Sequence, residues 1–185
     1  MNLNKMVLGG SIGLLVLIIA VSGCTSFNQV QNKTFSNGGI TFQYPGTWSN
    51  NTTFNYAQTP SSQWAILGQI GDNTTSVSIT STKLTNSSLS STTTIESLAR
   101  LDYSTASSSG LKVLSFNSST SNNITFYELI YTSTDSVSGQ TYKNYKLYFG
   151  KEGNILYSII FKTKESDFQN QYQVMKEIQS SIKYT

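Results

Sequence analysis

The stretch Ile155-Leu156-Tyr157-Ser158-Ile159-Ile160-Phe161 decides the fold. Ile155, Tyr157, Ile159 and Phe161 recur at period two, which places them on one face of a strand, while Leu156 and Ile160 keep the other face partly apolar. A strand that is apolar on both faces predicts cover on both sides. Immediately upstream, Tyr142 to Phe149 reads as a second strand, and Gly150-Lys151-Glu152-Gly153-Asn154 reads as the hairpin loop joining the two. Further strands are predicted from Trp64 to Ile70, Ser76 to Leu84, Leu111 to Asn117 and Ile124 to Thr132, spaced as antiparallel meanders.

Two amphipathic segments supply the cover. The first starts at Thr93, where Thr93-Thr94-Ile95-Glu96 fits a capping box, and Ile95, Leu98, Ala99 and Leu101 or Asp102 follow one stripe before the pattern stops near Gly110. The second runs from about Ser166 to Ile182, with Ser166 and Gln169 as a capping box and Phe168, Tyr172, Met175, Ile178 and Ile182 at helical spacing. These stripes read as core.

Near the front of the chain, Asn37-Gly38-Gly39-Ile40-Thr41-Phe42-Gln43-Tyr44-Pro45 gives a glycine turn followed by alternating Ile40, Phe42 and Tyr44. A Pro45-Gly46 turn then folds the chain back and sets the Trp48 indole against that strand, a packing role for Trp48 and Tyr44.

The opening Ile40 to Pro45 with Trp48, the paired strands 142–149 and 155–161, and the closing helix ending in Ser180-Ser181-Ile182-Lys183 resemble PsbP-like domains. That family is named for an extrinsic subunit of photosystem II, and the resemblance is strongest to small surface lipoproteins of methanogenic archaea. It spans about residues 34 to 184. What it implies is an α+β fold with a central antiparallel β-sheet flanked by helices, an α/β/α sandwich, serving in binding or assembly. The photosystem role does not transfer, because nothing in the chain suggests a photosynthetic partner.

The amino terminus supplies an address. Asn2, Asn4 and Lys5 form a short polar, positive start, an apolar run follows from Met6 to Ala20, and Val21-Ser22-Gly23-Cys24 has the form of a lipobox. Small residues at Ser22 and Gly23 let the backbone enter a narrow peptidase groove, and the Cys24 thiol takes the lipid. The domain organisation expected is a signal peptide over 1–23, a tether over 24–33 and a PsbP-like domain over 34–185. An uncleaved anchor is the competing reading, although the run is short against the roughly 20 residues of a spanning helix. Either way the protein sits on the extracytoplasmic face of the cell membrane.

Composition narrows the function classes. Twelve Lys and Arg stand against nine Asp and Glu, a formal net charge of +3 with Arg100 the sole arginine, so no basic cluster exists to neutralise nucleic-acid phosphates. Solubility rests on uncharged polar residues: 15 of the 21 residues from Thr74 to Thr94 are Ser or Thr. Seven Asn-x-Ser/Thr sequons, at Asn32, Asn50, Asn51, Asn73, Asn86, Asn117 and Asn123, are candidate glycosylation sites on an extracellular surface.

Catalytic groups are scarce. The chain has no histidine and a single cysteine, which removes Ser-His-Asp and Cys-His arrangements, any intrachain disulfide and the commonest zinc ligand. Ser109-Gly110-Leu111-Lys112 and Ser180-Ser181-Ile182-Lys183 match Ser-x-x-Lys spacing, as a serine-rich chain does by accident. Glu96 with Asp102 and Glu165 with Asp167 read as helix-start or polar-face acids, and the loops at Asp72 and Asp135 as turns. No catalytic residue, metal or cofactor is therefore expected. The sequence points to a non-catalytic lipoprotein that binds or assembles an envelope component. The alternative is a small-ligand or saccharide binder using the aromatics of Tyr142 to Tyr148.

Overall fold

The computed structural model describes residues 31–51, 64–84, 94–151 and 155–185; of residues 51 and 151 only the backbone is described. Cys24, Asn86 and most of the hairpin loop after Gly150 lie outside these residues.

The chain begins with a hairpin, β1 (Lys33–Asn37) and β2 (Ile40–Tyr44), paired from Lys33↔Tyr44 to Asn37↔Ile40. Gly38 and Gly39 close it at φ 62° and 87°, the left-handed backbone that a two-residue turn matched to strand twist demands. Then come β3 (Ser49–Asn51), β4 (Trp64–Gly71) and β5 (Thr75–Lys83), followed by helix α1 (Ile95–Ser108). Four long strands follow: β6 (Lys112–Ser121), β7 (Ile124–Thr134), β8 (Thr141–Lys151) and β9 (Ile155–Lys164). Helix α2 (Phe168–Ser181) and the short β10 (Lys183–Tyr184) end the chain.

Two antiparallel sheets result. The larger has the order β3-β4-β5-β9-β8-β7-β6, and the smaller β1-β2-β10. The β9 sequence sits near the middle of the large sheet, as its two-sided pattern requires. Tyr157, Ile159 and Phe161 are fully buried with Val77 and Ile79 of β5, Tyr145, Leu147 and Phe149 of β8 and Phe126 of β7. Onto that face pack Phe168, Val174, Met175 and Ile178 of α2 together with Phe35, Ile40, Phe42 and Trp48 of the small sheet and its turn. On the alternate positions, Leu129 and Tyr148 pack with Ala99 of α1, and Leu156 joins them. The structure is thus mostly antiparallel sheet with two helices, the α+β class expected.

Several details differ from the sequence reading. Helix α1 is capped by Thr94, one residue later than predicted: Ser97 N–H donates to Thr94 Oγ1 at 3.1 Å and Thr94 N–H donates to Ser97 Oγ at 2.9 Å. Thr94 heads a Thr-x-x-Ser box whose serine replaces the expected glutamate, and Glu96 is left to accept from Arg100. At α2 the expected Ser166 box does not form; Asp167 holds the cap position without a side-chain bond. Strand β6 continues to Ser121 and turns at Asn122 and Asn123, φ 51° and 60°, a left-handed pair that asparagine tolerates. The short β1, β3 and β10 lie outside the strands predicted from sequence: β1 has Phe35 as its one apolar residue, and β3 and β10 are too brief to show a period.

Candidate binding cleft

A concavity with mixed lining lies where the start of α1, the β6–β7 turn, the end of β8 and β10 meet, and measures about 680 Å³. That is within the range of small-molecule sites. Each element delivers its lining residues for a local reason. The Thr94 cap fixes the first turn of α1, so Ile95 and Glu96 border the cleft; the asparagine turn presents Asn123 and leads into Ile124 and Thr125. Tyr127 follows on β7, and Tyr184 arrives from β10, held where Lys183 and Tyr184 pair with Thr41 and Ile40.

Glu96, the sole carboxylate lining the cleft among the described residues, receives Arg100 Nε at 2.7 Å, and the Tyr127 hydroxyl makes a long 3.5 Å approach to its other oxygen. Burial, and then the neighbouring Glu96 charge, hold the Tyr127 hydroxyl above its usual range. The Tyr184 hydroxyl donates to the Gly150 carbonyl; burial, then Tyr157, push it up to about 12. Both phenols are neutral hydrogen-bonding groups at physiological pH.

A second cluster lies under α2. Glu128 of β7 is 7% exposed, and its Oε1 accepts from Lys176 Nζ at 3.0 Å, Gln179 Nε2 at 2.8 Å and the Ser119 hydroxyl. Tyr145 donates to Gln179 Oε1 at 2.8 Å and receives Lys176 Nζ at 3.3 Å. Burial alone would raise the Glu128 carboxyl, but the three donors and the lysine charge outweigh it, and the group titrates below its ordinary value. Three donors from β6 and α2 converge on one carboxylate oxygen of β7, so the cluster latches helix to sheet.

The structure redistributes the residues singled out from sequence. Tyr145 and Tyr148 are 0% and 4% exposed, and burial raises both hydroxyls strongly. They are core, so the sugar-stacking reading of Tyr142 to Tyr148 does not hold for them. Trp48 and Tyr44 are buried packing residues, as read. The Ser109 and Ser180 hydroxyls donate to the backbone carbonyls of Ala106 and Glu177. Glu96 and Asp102 do not form a pair: Asp102 accepts from Lys146 at 3.0 Å and from Tyr148. Asp72 Oδ1 accepts from the Thr74 and Thr75 amides, both at 2.8 Å, and Asp135 Oδ1 from the Val137 and Ser138 amides, so both loops are turns. Among the described residues no group of three acidic or thiol side chains is placed to hold a metal, and no helix is long and apolar enough to cross a membrane.

Of the sequons, Asn32, Asn50, Asn73, Asn117 and Asn123 have exposed asparagines. Their hydroxyl residues differ. Thr34 and Thr125 are exposed, whereas Thr75 is buried against Thr163 and the Ser119 hydroxyl is bound into the Glu128 cluster. The side chain of Asn51 lies outside what is described. Tyr127 and Tyr184 went unread in the sequence: alternation marks Tyr127 as one face of β7, but only the position of α1 shows that this face opens into a cleft.

No protein-family model matches the chain, and no curated protein does. Solved structures do. The solution structure of cyanobacterial PsbP (CyanoP) from Synechocystis sp. PCC 6803 superposes with a TM-score of 0.57 at 12% identity, over 89% of this chain and 99% of that one. LpqN of Mycobacterium tuberculosis, described as involved in cell envelope biogenesis, gives 0.51 at 9% identity over 84% and 91%. The Saccharomyces cerevisiae Ran-binding protein Mog1p gives 0.51 at 11% identity over 83% and 95%. The fold is PsbP-like. At such identities the likeness defines the fold alone, since proteins of one fold serve unrelated functions.

Proposed function

We propose that this chain is a non-catalytic lipoprotein, tethered through Cys24 to the extracytoplasmic face of the cell membrane, that binds another component of the envelope. In this reading the layers are those of an α/β/α sandwich, supported by α1 packing on one face of the large sheet and α2 with the small sheet on the other. The observation that carries the reading is the cleft at Tyr127 and Tyr184, which offers aromatic rings, hydroxyls and an amide around a carboxylate already paired with Arg100. Such a lining suits neutral polar molecules.

The cleft favours the saccharide reading over a flat protein interface, because a ring with equatorial hydroxyls stacks on tyrosine while its edge bonds to Asn123, Thr125 and Glu96. Thermal-shift titration of the full chain with envelope oligosaccharides tests this. Saturable stabilisation that is lost in Tyr127→Ala supports the cleft, since a ligand at 100 times its Kd raises stability by about 2.7 kcal/mol; no shift with any sugar rejects it. For the address, Cys24→Ser is expected to release the protein or accumulate precursor, and retention in the membrane at full-length mass rejects the lipid anchor.

A further inference from the structure

The two edges of the large sheet are treated differently. At one edge β3 has three residues; at the other β6 has ten, and among the described residues β6 pairs with β7 alone. An unpaired edge of that length is a template for another strand unless it is guarded by charge, proline or bulges. Strand β6 has Lys112 at its start and a bulge between Val113 and Ser115, but Phe116-Asn117-Ser118-Ser119-Thr120-Ser121 is regular, uncharged and free of proline.

Helix α1 runs beside that edge. Glu96, Arg100, Tyr103 and Ser107, at spacings of four, three and four, form one helical stripe facing it. Between the stripe and the strand lie two adjoining concavities of about 480 and 560 Å³, which share Arg100 and Phe116. The second shares Glu96 and Tyr127 with the cleft, so a continuous track follows β6 into it. Its apolar contacts include Leu114, 42% exposed at the bulge, and Tyr103, 40% exposed and 5.4 Å from the Phe116 ring.

We propose that this groove takes an extended peptide segment of a partner protein, added as an eleventh strand antiparallel or parallel to β6 and carrying an acidic side chain opposite Arg100. The free backbone edge selects a strand, because only another backbone presents donors and acceptors at strand spacing. Arg100 selects the acid. Its guanidinium lies 5.4 Å over Phe116 and uses Nε for Glu96, while no further hydrogen bond from it occurs among the described residues, leaving the terminal nitrogens to meet a carboxylate. The proposal deepens the binding-module reading and is independent of the anchor and of sugar binding in the cleft.

Selection of a randomised octapeptide display library against the full 185-residue chain in detergent tests it, followed by titration of the enriched peptide into isotope-labelled protein. The expected result is enrichment of alternating apolar positions with one acidic position, amide shifts along Val113 to Ser121 and along the Glu96 to Ser107 stripe, and slowed exchange of β6 amides. N-methylation of alternate peptide amides should weaken binding about tenfold at strand-bonding positions and leave it unchanged at the others. Arg100→Gln should weaken the acidic peptide about five- to tenfold without affecting its neutral amide counterpart. Failure to enrich any peptide, binding insensitive to N-methylation, shifts elsewhere, an oligosaccharide filling the β6 track, or β6 pairing between copies of the chain in sedimentation and exchange would each overturn it. Sugar binding confined to the cleft leaves the tethered-module reading standing whichever way the peptide result falls.

Discussion

Glu128 shows at the scale of one residue how the chain fastens a helix to its sheet. A carboxylate facing the α2 side of the sheet is costly without partners, and Ser119, Lys176 and Gln179 supply donors from two elements. Removing the charge partner leaves it uncompensated, so Lys176→Met is expected to cost about 3 kcal/mol in chemical denaturation at pH 7. Glu128→Gln keeps the shape and should cost less. The pH sign follows from the lowered Glu128 titration: its stabilisation is full above the unfolded value of about 4.3 and is lost as pH falls through the folded value. Wild type should therefore lose more stability than Glu128→Gln between pH 5 and pH 2, and equal losses would remove Glu128 from the acid limb. Glu128 was invisible in the sequence reading, because its partners lie nine, 48 and 51 residues away.

Elements depend on their ends. The Thr94 cap satisfies an amide of α1 and sets the first turn that borders the cleft, so Thr94→Ala should lower stability by about 1 kcal/mol, read as a fall in Tm. Gly71, at the β4–β5 turn, has φ 153°, and a Cβ there would stand 2.1 Å from the Thr75 carbonyl oxygen. Because that neighbour is backbone, Gly71→Ala must part the two strands, with a loss of about 3 kcal/mol or more. An unchanged Tm would reject the geometry. Elements with several periods were legible: β9 and β8 through alternation, α1 and α2 through their stripes. The caps were not, since Thr93 and Thr94 both satisfy the pattern and only the backbone trajectory selects one. Strand β3 carries no period in Ser49, Asn50 and Asn51; its partner β4 defines it.

Across the whole molecule, the absence of histidine and the burial of phenols shape one curve. The chain has no histidine, the side chain whose ordinary titration falls near pH 6 to 7, so stability should be flat there. Burial raises the Tyr145 and Tyr148 hydroxyls far above their usual value, and it raises Tyr184 to about 12. A raised folded value means the stabilisation is intact below the unfolded value of about 10 and lost as pH rises beyond it. Absorbance titration near 295 nm is expected to show part of the 11 tyrosines ionising freely and the rest only with unfolding. Smooth titration of all 11 near pH 10 would contradict the packing. The register also separates the two ends of the small sheet: Lys33 pairs with Tyr44, while Tyr184 at the cleft pairs with Ile40.

The sequence by itself determined the class of fold, because periods of two and 3.6 are local consequences of backbone geometry and the side chains that follow them must be buried. It also carries the Val21-Ser22-Gly23-Cys24 run on which the proposed anchor rests, and the lack of histidine and of a second cysteine, which depend on residue type and order alone. Tertiary structure decided which apolar side chains stay reachable. Tyr145 and Tyr127 occupy equally strand-like positions, yet α2 closes over one and the start of α1 leaves the other at a cleft. The free edge of β6 arises in the same way, since a strand's neighbours are fixed by pairing between distant segments and not by its own residues.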